Sequence, residues 1–105
     1  MQVFHYLTER GVDIFQEWLD ALPDQRGRIA ILRRVSLLQL GHFGDSQSVG
    51  GSVHELRIDY ASGYRVYYGR DGREVILLLC AGNKRTQKKD IMRAIEYWHT
   101  HKERK

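Results

Sequence analysis

The 105 residues include one cysteine and one proline. Cys80 has no internal partner for a disulfide and no CxxC neighbour with which to build a zinc site, so it reads as a small buried hydrophobe. No stretch approaches the roughly 18 consecutive apolar residues that a membrane span needs. The opening residues MQVFHYLTERG carry neither a charged leader region nor a long apolar one, so a cytoplasmic protein without membrane association is expected. His99 and His101 stand two apart, a spacing that points them to different faces of a helix, and His5 and His42 read as structural. No metal and no cofactor is expected. Acidic residues are in deficit: 13 Asp+Glu against 17 Lys+Arg give a net charge of +4, which attracts polyanions or an acidic partner.

What is present suits one compact unit. A hydrophobic fraction of 42% is enough to fold without help and argues against disorder. Two cores would leave each half at roughly 50 residues, where single cores become marginal, so residues 1–105 are read as a single domain. Gln2 to Leu7 is β-prone and ends at Thr8, an N-cap for a helix carrying Val12, Phe15, Leu19 and Leu22 and ending near Leu22. Pro23 and Asp24 then introduce a second helix from Gln25 to Leu40, with Ile31, Val35 and Leu38 at helical spacing and Arg26, Arg28, Arg33 and Arg34 on its remaining surface. Gly41 to Ser52 has no period and reads as a loop.

From there the period changes to two. Leu56, Ile58 and Tyr60 alternate with Glu55, Arg57 and Asp59, and after a turn at Ala61-Ser62-Gly63 a second strand runs from Tyr64 to Arg70. Asp71-Gly72 predicts a two-residue hairpin into the apolar strand Glu74 to Cys80. A last amphipathic helix begins near Thr86 and carries Ile91, Ile95 and Trp98; HTHKERK reads as its solvated end or a tail. The fold class is therefore α+β: a strand, two helices packed on one face, an antiparallel meander whose edge the first strand joins, and a C-terminal helix.

Strand parity makes a prediction about chemistry. If Tyr60 pairs with Tyr64, then Asp59 faces Arg65 and Arg57 faces Tyr67, all on one side. If Arg70 pairs with Arg73, that side also carries Ile76, Leu78 and Cys80, while Val75, Leu77 and Leu79 join the core under the helices. Lys84 and Arg85 leave the last strand at the same end as the Ser62-Gly63 turn, so two basic pairs converge. Guanidinium groups match phosphate bidentately and Tyr67 could stack on a base, as a single-stranded RNA groove requires. A ligand-free surface ladder of Arg57, Asp59 and Arg65 is the alternative.

The segments GHFGD (41–45), ELRIDYASGYRVYY (55–68) and LLLCAGNKRTQKKDI (77–91) together resemble the RelE/ParE superfamily of toxins, and within it the HigB-like addiction-module killer proteins of type II toxin–antitoxin systems. The resemblance spans nearly the whole chain, including its β-α-α-β-β-β order. It implies that Arg65, in the SGYR turn, contacts a scissile phosphate, with Arg57, Lys84 and Arg85 as companions and Asp59, His54 or Lys84 as a base. Tyr67, His54, Lys88 and Lys89 are the expected RNA contacts. The implied activity is ribosome-dependent mRNA cleavage through attack of a ribose 2′-OH on its own 3′-phosphate, a route that needs no metal. Some members carry Tyr or His soon after the last strand as the acid; here that stretch reads TQKKDIM, and Tyr97 and His99 come only later. A non-enzymatic toxin that binds DNA gyrase and an inactive RNA-binding remnant are the alternatives. The implied partners are the ribosome, mRNA and a cognate antitoxin of helix-turn-helix type, through which operator DNA would be bound indirectly.

Overall fold

The computed structural model describes residues 1–104. Strand β1 (Gln2–His5) leads to helices α1 (Ile14–Ala21) and α2 (Gln25–Gln39); strands β2 (Ser46–Gly50), β3 (Val53–Ile58), β4 (Tyr64–Asp71) and β5 (Val75–Asn83) follow, then a 3-10 turn at Lys84–Thr86 and helix α3 (Gln87–Glu103). The five strands form one sheet in the order β1-β5-β4-β3-β2. This is the α+β architecture that the sequence predicts, with two departures in the sheet. β1 joins the edge as expected but runs parallel to β5, so the sheet is mixed; two helices follow β1, and no hairpin constrains its direction. The second departure is β2, an additional edge strand inside the expected loop 41–52, where Ser46, Gln47 and Ser48 pair with Leu56, Glu55 and His54. Its weak β-propensity hides it, because only cross-strand pairing stabilises so polar a segment.

Side-chain caps begin both early helices. Asp13 accepts from the Gln16 amide at 3.0 Å to start α1, and the expected cap Thr8 instead accepts from the Val12 amide at 3.1 Å in the preceding turn. Asp24 accepts from the Gly27 amide at 2.9 Å and from the Tyr64 hydroxyl at 2.8 Å, tying the start of α2 to β4. α3 continues through the expected tail to Glu103; Lys105 lies outside the described residues. No helix among the described residues is long and apolar enough to cross a membrane.

The sheet is covered on both faces. Phe15, Leu19, Ile31 and Leu38 of α1 and α2 pack on Leu56, Ile58, Tyr64, Val66, Tyr68, Ile76 and Leu78. On the other face Ala94 and Trp98 of α3 pack with Tyr6 against Val53, Tyr67, Leu77, Leu79 and Cys80. Ile76 and Leu78 thus exchange faces with Leu77 and Leu79 relative to the expected parity. The cause is the β4–β5 connection, in which Gly72-Arg73-Glu74 forms a three-residue loop and Asp71 pairs with Val75 in place of Arg70 with Arg73. That shift is odd, and an odd shift turns every side chain over. A register break between Tyr67 and Tyr68 then returns Cys80 to the side of Tyr67. Gly69 makes the α3 layer possible, because a Cβ there would fall inside the Trp98 ring.

Candidate functional site

β3 and β4 run antiparallel with Arg57 directly opposite Arg65 and Glu55 opposite Tyr67. The expected partner of Arg65 was Asp59, but the turn is two residues longer, with Ile58 rather than Tyr60 opposite Tyr64. An even slip leaves the faces unchanged, so Arg57, Arg65 and Tyr67 still share a side, now beneath the first turn of α3.

Two arginines as direct cross-strand neighbours repel one another. Their counter-ion is Glu55, whose side chain is 0% exposed. Its Oε1 accepts from Arg57 Nε at 3.0 Å and lies 3.7 Å from Arg65 Nε, while Oε2 accepts from the Tyr67 hydroxyl at 3.0 Å and from Gln87 Nε2 at 2.8 Å. Arg65 Nε is buried without a hydrogen bond, and that guanidinium is held by its charge and by one bond from Nη1 to the Tyr64 carbonyl at 3.1 Å. Burial pushes the Glu55 carboxyl up. Hydrogen bonds from Gln87, Arg57 and Tyr67, together with the Arg57 charge, outweigh it and hold the group below its ordinary range. Burial, with the adjacent Glu55 charge, pushes the Tyr67 phenol far up, so its hydroxyl stays a proton donor.

Arg57, Arg65 and Gly82 form one row across β3, β4 and β5, and Lys84 follows two residues after Gly82. Gly63 is in the left-handed region at φ +80°, and a Cβ there would lie 2.8 Å from Lys84 Cε. The lysine stem therefore lies along the turn that leads into Arg65. Asn83 fixes that loop by accepting from the backbone amides of Arg85 and Thr86 at 2.9 and 3.3 Å. Two arginines thus share one carboxylate, with the Arg57 side chain 34% exposed and that of Arg65 10%, and Lys84 lies along the adjoining turn. Such a set can bind an anion and stabilise negative charge that grows on it.

Arg85, Lys88 and Lys89 line a groove along the outer face of α3, with Met92, Arg93 and Glu96. Two expected members lie elsewhere. Asp59 is exposed and lines a depression with Arg26, Arg33 and Tyr60 on the α2 side. His54 points to the opposite face of the sheet, where its ring stacks on Tyr68 at 5.3 Å, and burial, reinforced by the Arg70 charge, lowers its basicity. For Tyr67 the expected base-stacking role is corrected: the residue is fully buried and its hydroxyl is engaged by Glu55. Tyr97 stacks on Tyr6 at 4.8 Å, in the packing of α3. Cys80 is buried as expected, and burial pushes its thiol up to about 12. Among the described residues no group of three or more His, Cys, Asp or Glu side chains could hold a metal ion.

Sequence reasoning missed Glu55 and Gln87. Glu55 occupies a position whose alternation suggested a wet face, and only the coverage by α3 buries it. Gln87 opens α3, 32 residues away along the chain, with no local signal to connect them.

The family model described as phage-derived protein Gp49-like (DUF891) matches residues 17–97, a span that contains the whole arginine centre. A Haemophilus influenzae protein described only as uncharacterized is 45% identical over 80 residues, which cover 76% of this chain and 81% of that protein.

Proposed function

This chain belongs to the phage-derived Gp49-like family, a toxin-like family of addiction-module type, and from that premise we propose that it is the toxin of a type II toxin–antitoxin pair that cleaves mRNA on the ribosome. Within the toxins we read it as a RelE/ParE protein of HigB-like type. The observation that carries the nuclease reading is the cross-strand pair of Arg57 and Arg65 with Lys84 beside it.

In the proposed reaction a ribose 2′-oxygen attacks the adjacent 3′-phosphorus, the bond from phosphorus to the 5′-oxygen breaks, and a 2′,3′-cyclic phosphate and a 5′-hydroxyl result. Arg65 and Arg57 stabilise the charge on the pentavalent phosphorus. Lys84, the exposed cation of the three, is assigned to proton transfer, a role for which Asp59 and His54 lie on the wrong side of the sheet. Arg85, Lys88 and Lys89 are assigned to flanking phosphates of RNA, which every sequence presents alike.

A neutralising antitoxin accompanies this reading. α2 carries Arg26, Arg28 and Arg33 with no acidic residue, around the exposed Ile29 and Leu32; that surface suits an acidic segment with an apolar stripe. Operator DNA would be reached through the antitoxin. The test is inducible expression with and without the neighbouring small gene, followed by mapping of mRNA 5′ ends. Growth arrest relieved by the neighbour, cuts inside codons, and loss of both in Arg65→Ala are the expected results. Normal growth without the neighbour would sink the toxin reading. One observation favours the gyrase-binding alternative: the Arg65 side chain is only 10% exposed. DNA damage with intact transcripts would select it.

A further inference from the structure

The nuclease reading leaves open why a fully buried carboxylate sits under two arginines that are meant to bind an anion. We propose that Glu55 is a positioning residue: it grips the Nε side of Arg57 and faces that of Arg65, and so aims their outer Nη–H groups at the substrate phosphodiester. The proposal rests on the nuclease reading for its substrate, and on the following geometry for the rest.

Glu55 is held from three elements. It stands on β3, and its Oε2 is engaged by Tyr67 of β4 and Gln87 of α3 at 3.0 and 2.8 Å, which leaves Oε1 turned toward the guanidiniums. A guanidinium carries five donors in a rigid fork, and taking Nε leaves the Nη edge for a second acceptor. Among the described residues the Arg57 side chain has no hydrogen-bond or ion-pair partner besides Glu55. Arg65 directs Nη1 to the Tyr64 carbonyl and has its Nε buried against Oε1 without a hydrogen bond. One carboxylate facing two guanidiniums also leaves positive charge uncompensated, available to an anion.

Charge and positioning act on different observables in Glu55→Gln. Coulomb attraction alone says that removing the negative charge tightens polyanion binding. Positioning says that cleavage slows, because a misplacement of about 1 Å costs on the order of 100-fold in rate.

The experiment is single-turnover cleavage by the full-length protein on mRNA-programmed ribosomes, with the saturating rate and the half-saturating concentration measured separately. Thermal melting of each variant is recorded alongside. E55Q is expected to keep or lower the half-saturating concentration and to lose roughly 100-fold in saturating rate. E55D, which keeps the charge, should recover part of that rate. An unchanged saturating rate in E55Q would overturn the proposal. So would rates that follow melting temperature across both variants, which is the mark of a merely structural role. If the wild-type protein cleaves nothing, the nuclease reading fails by itself. The Arg57 Nε–H signal in the NMR spectrum then decides the placement: a slowly exchanging signal lost in E55Q supports it, and a signal unchanged in E55Q refutes it.

Discussion

Tyr67→Phe removes one oxygen from the interior and keeps the ring. Tyr67 is fully buried, and its hydroxyl donates to Glu55 Oε2 at 3.0 Å. The apolar burial survives the change, so the loss is that of a hydrogen bond to a charged group. Such bonds contribute about 1.5–3 kcal/mol, and no solvent reaches the carboxylate to replace the missing donor, since its side chain is 0% exposed. Gln87 and Arg57 still hold the other positions, which places the expected destabilisation near 2 kcal/mol. In a chain of this size that lowers the melting temperature by on the order of 10 °C. Urea denaturation should show a lower midpoint at unchanged slope, while affinity for single-stranded RNA stays at the wild-type value because the ring is not at the surface. The reasoning is refuted by the reverse pattern: stability within about 0.5 kcal/mol of wild type and RNA binding weakened by the roughly 1–3 kcal/mol of a lost base stack.

Further outcomes follow from the same contacts. Glycine to alanine inside a helix ordinarily stabilises by about 1 kcal/mol, yet Gly27→Ala should destabilise, because its Cβ would lie 2.7 Å from the Tyr64 ring and from Asp24 Oδ2; a urea midpoint above wild type would contradict this. Acid should unfold the protein in part through Glu55. Its folded value is depressed below the ordinary 4.5, so its contribution is present in full above that value and is lost as pH falls through the depressed one. Urea midpoints measured from neutral pH downward should therefore decline through the carboxylate range, and the decline should be shallower in E55Q. At the proposed antitoxin surface, Ile29→Asp with Leu32→Asp adds charge where the side chains are 67% and 48% exposed. Toxicity should persist and neutralisation by the neighbouring gene product should be lost; full neutralisation would move the antitoxin elsewhere.

The sequence readily discloses elements whose pattern matches their burial. The spacing of Ile31, Val35 and Leu38 gives α2, because it records one apolar and one wet face, and the alternation around Leu56 and Ile58 gives β3, because it separates an apolar face from a polar one although α3 covers both Glu55 and Val53. β5 resists this treatment. VILLLC is apolar on both faces, so composition cannot tell which of Ile76 or Leu77 lies under α1, and the assignment passes to a turn whose length differs by one residue from the Asp-Gly expectation. β2 resists it for the opposite reason: SQSVG carries almost no apolar signal, and its strand character comes from the edge of β3.

The same distinction runs through the site. Arg57 and Arg65 share a face in both the predicted and the observed register, since the two differ by two residues and side chains repeat with that period. That shared face is legible because parity is robust to even errors, whereas the direct pairing of the two arginines is not, since the predicted register sets Asp59 opposite Arg65. The environment of that face is not legible either, because it depends on where α3 docks. Trp98 lies on Gly69, Gln87 reaches Glu55, and Asp90 sits over Gly82, accepting from the Thr86 hydroxyl at 2.5 Å and from Arg93 Nη2 at 3.1 Å. These contacts convert an open basic face into a half-closed centre with an internal counter-ion. The result is fewer exposed arginine donors than the strand pattern implies, each more firmly aimed. For an anion that only needs to be attracted, this arrangement is worse than an open basic face. It is better for a phosphate whose charge grows during a reaction, because donors already oriented need no reorganisation when that charge appears.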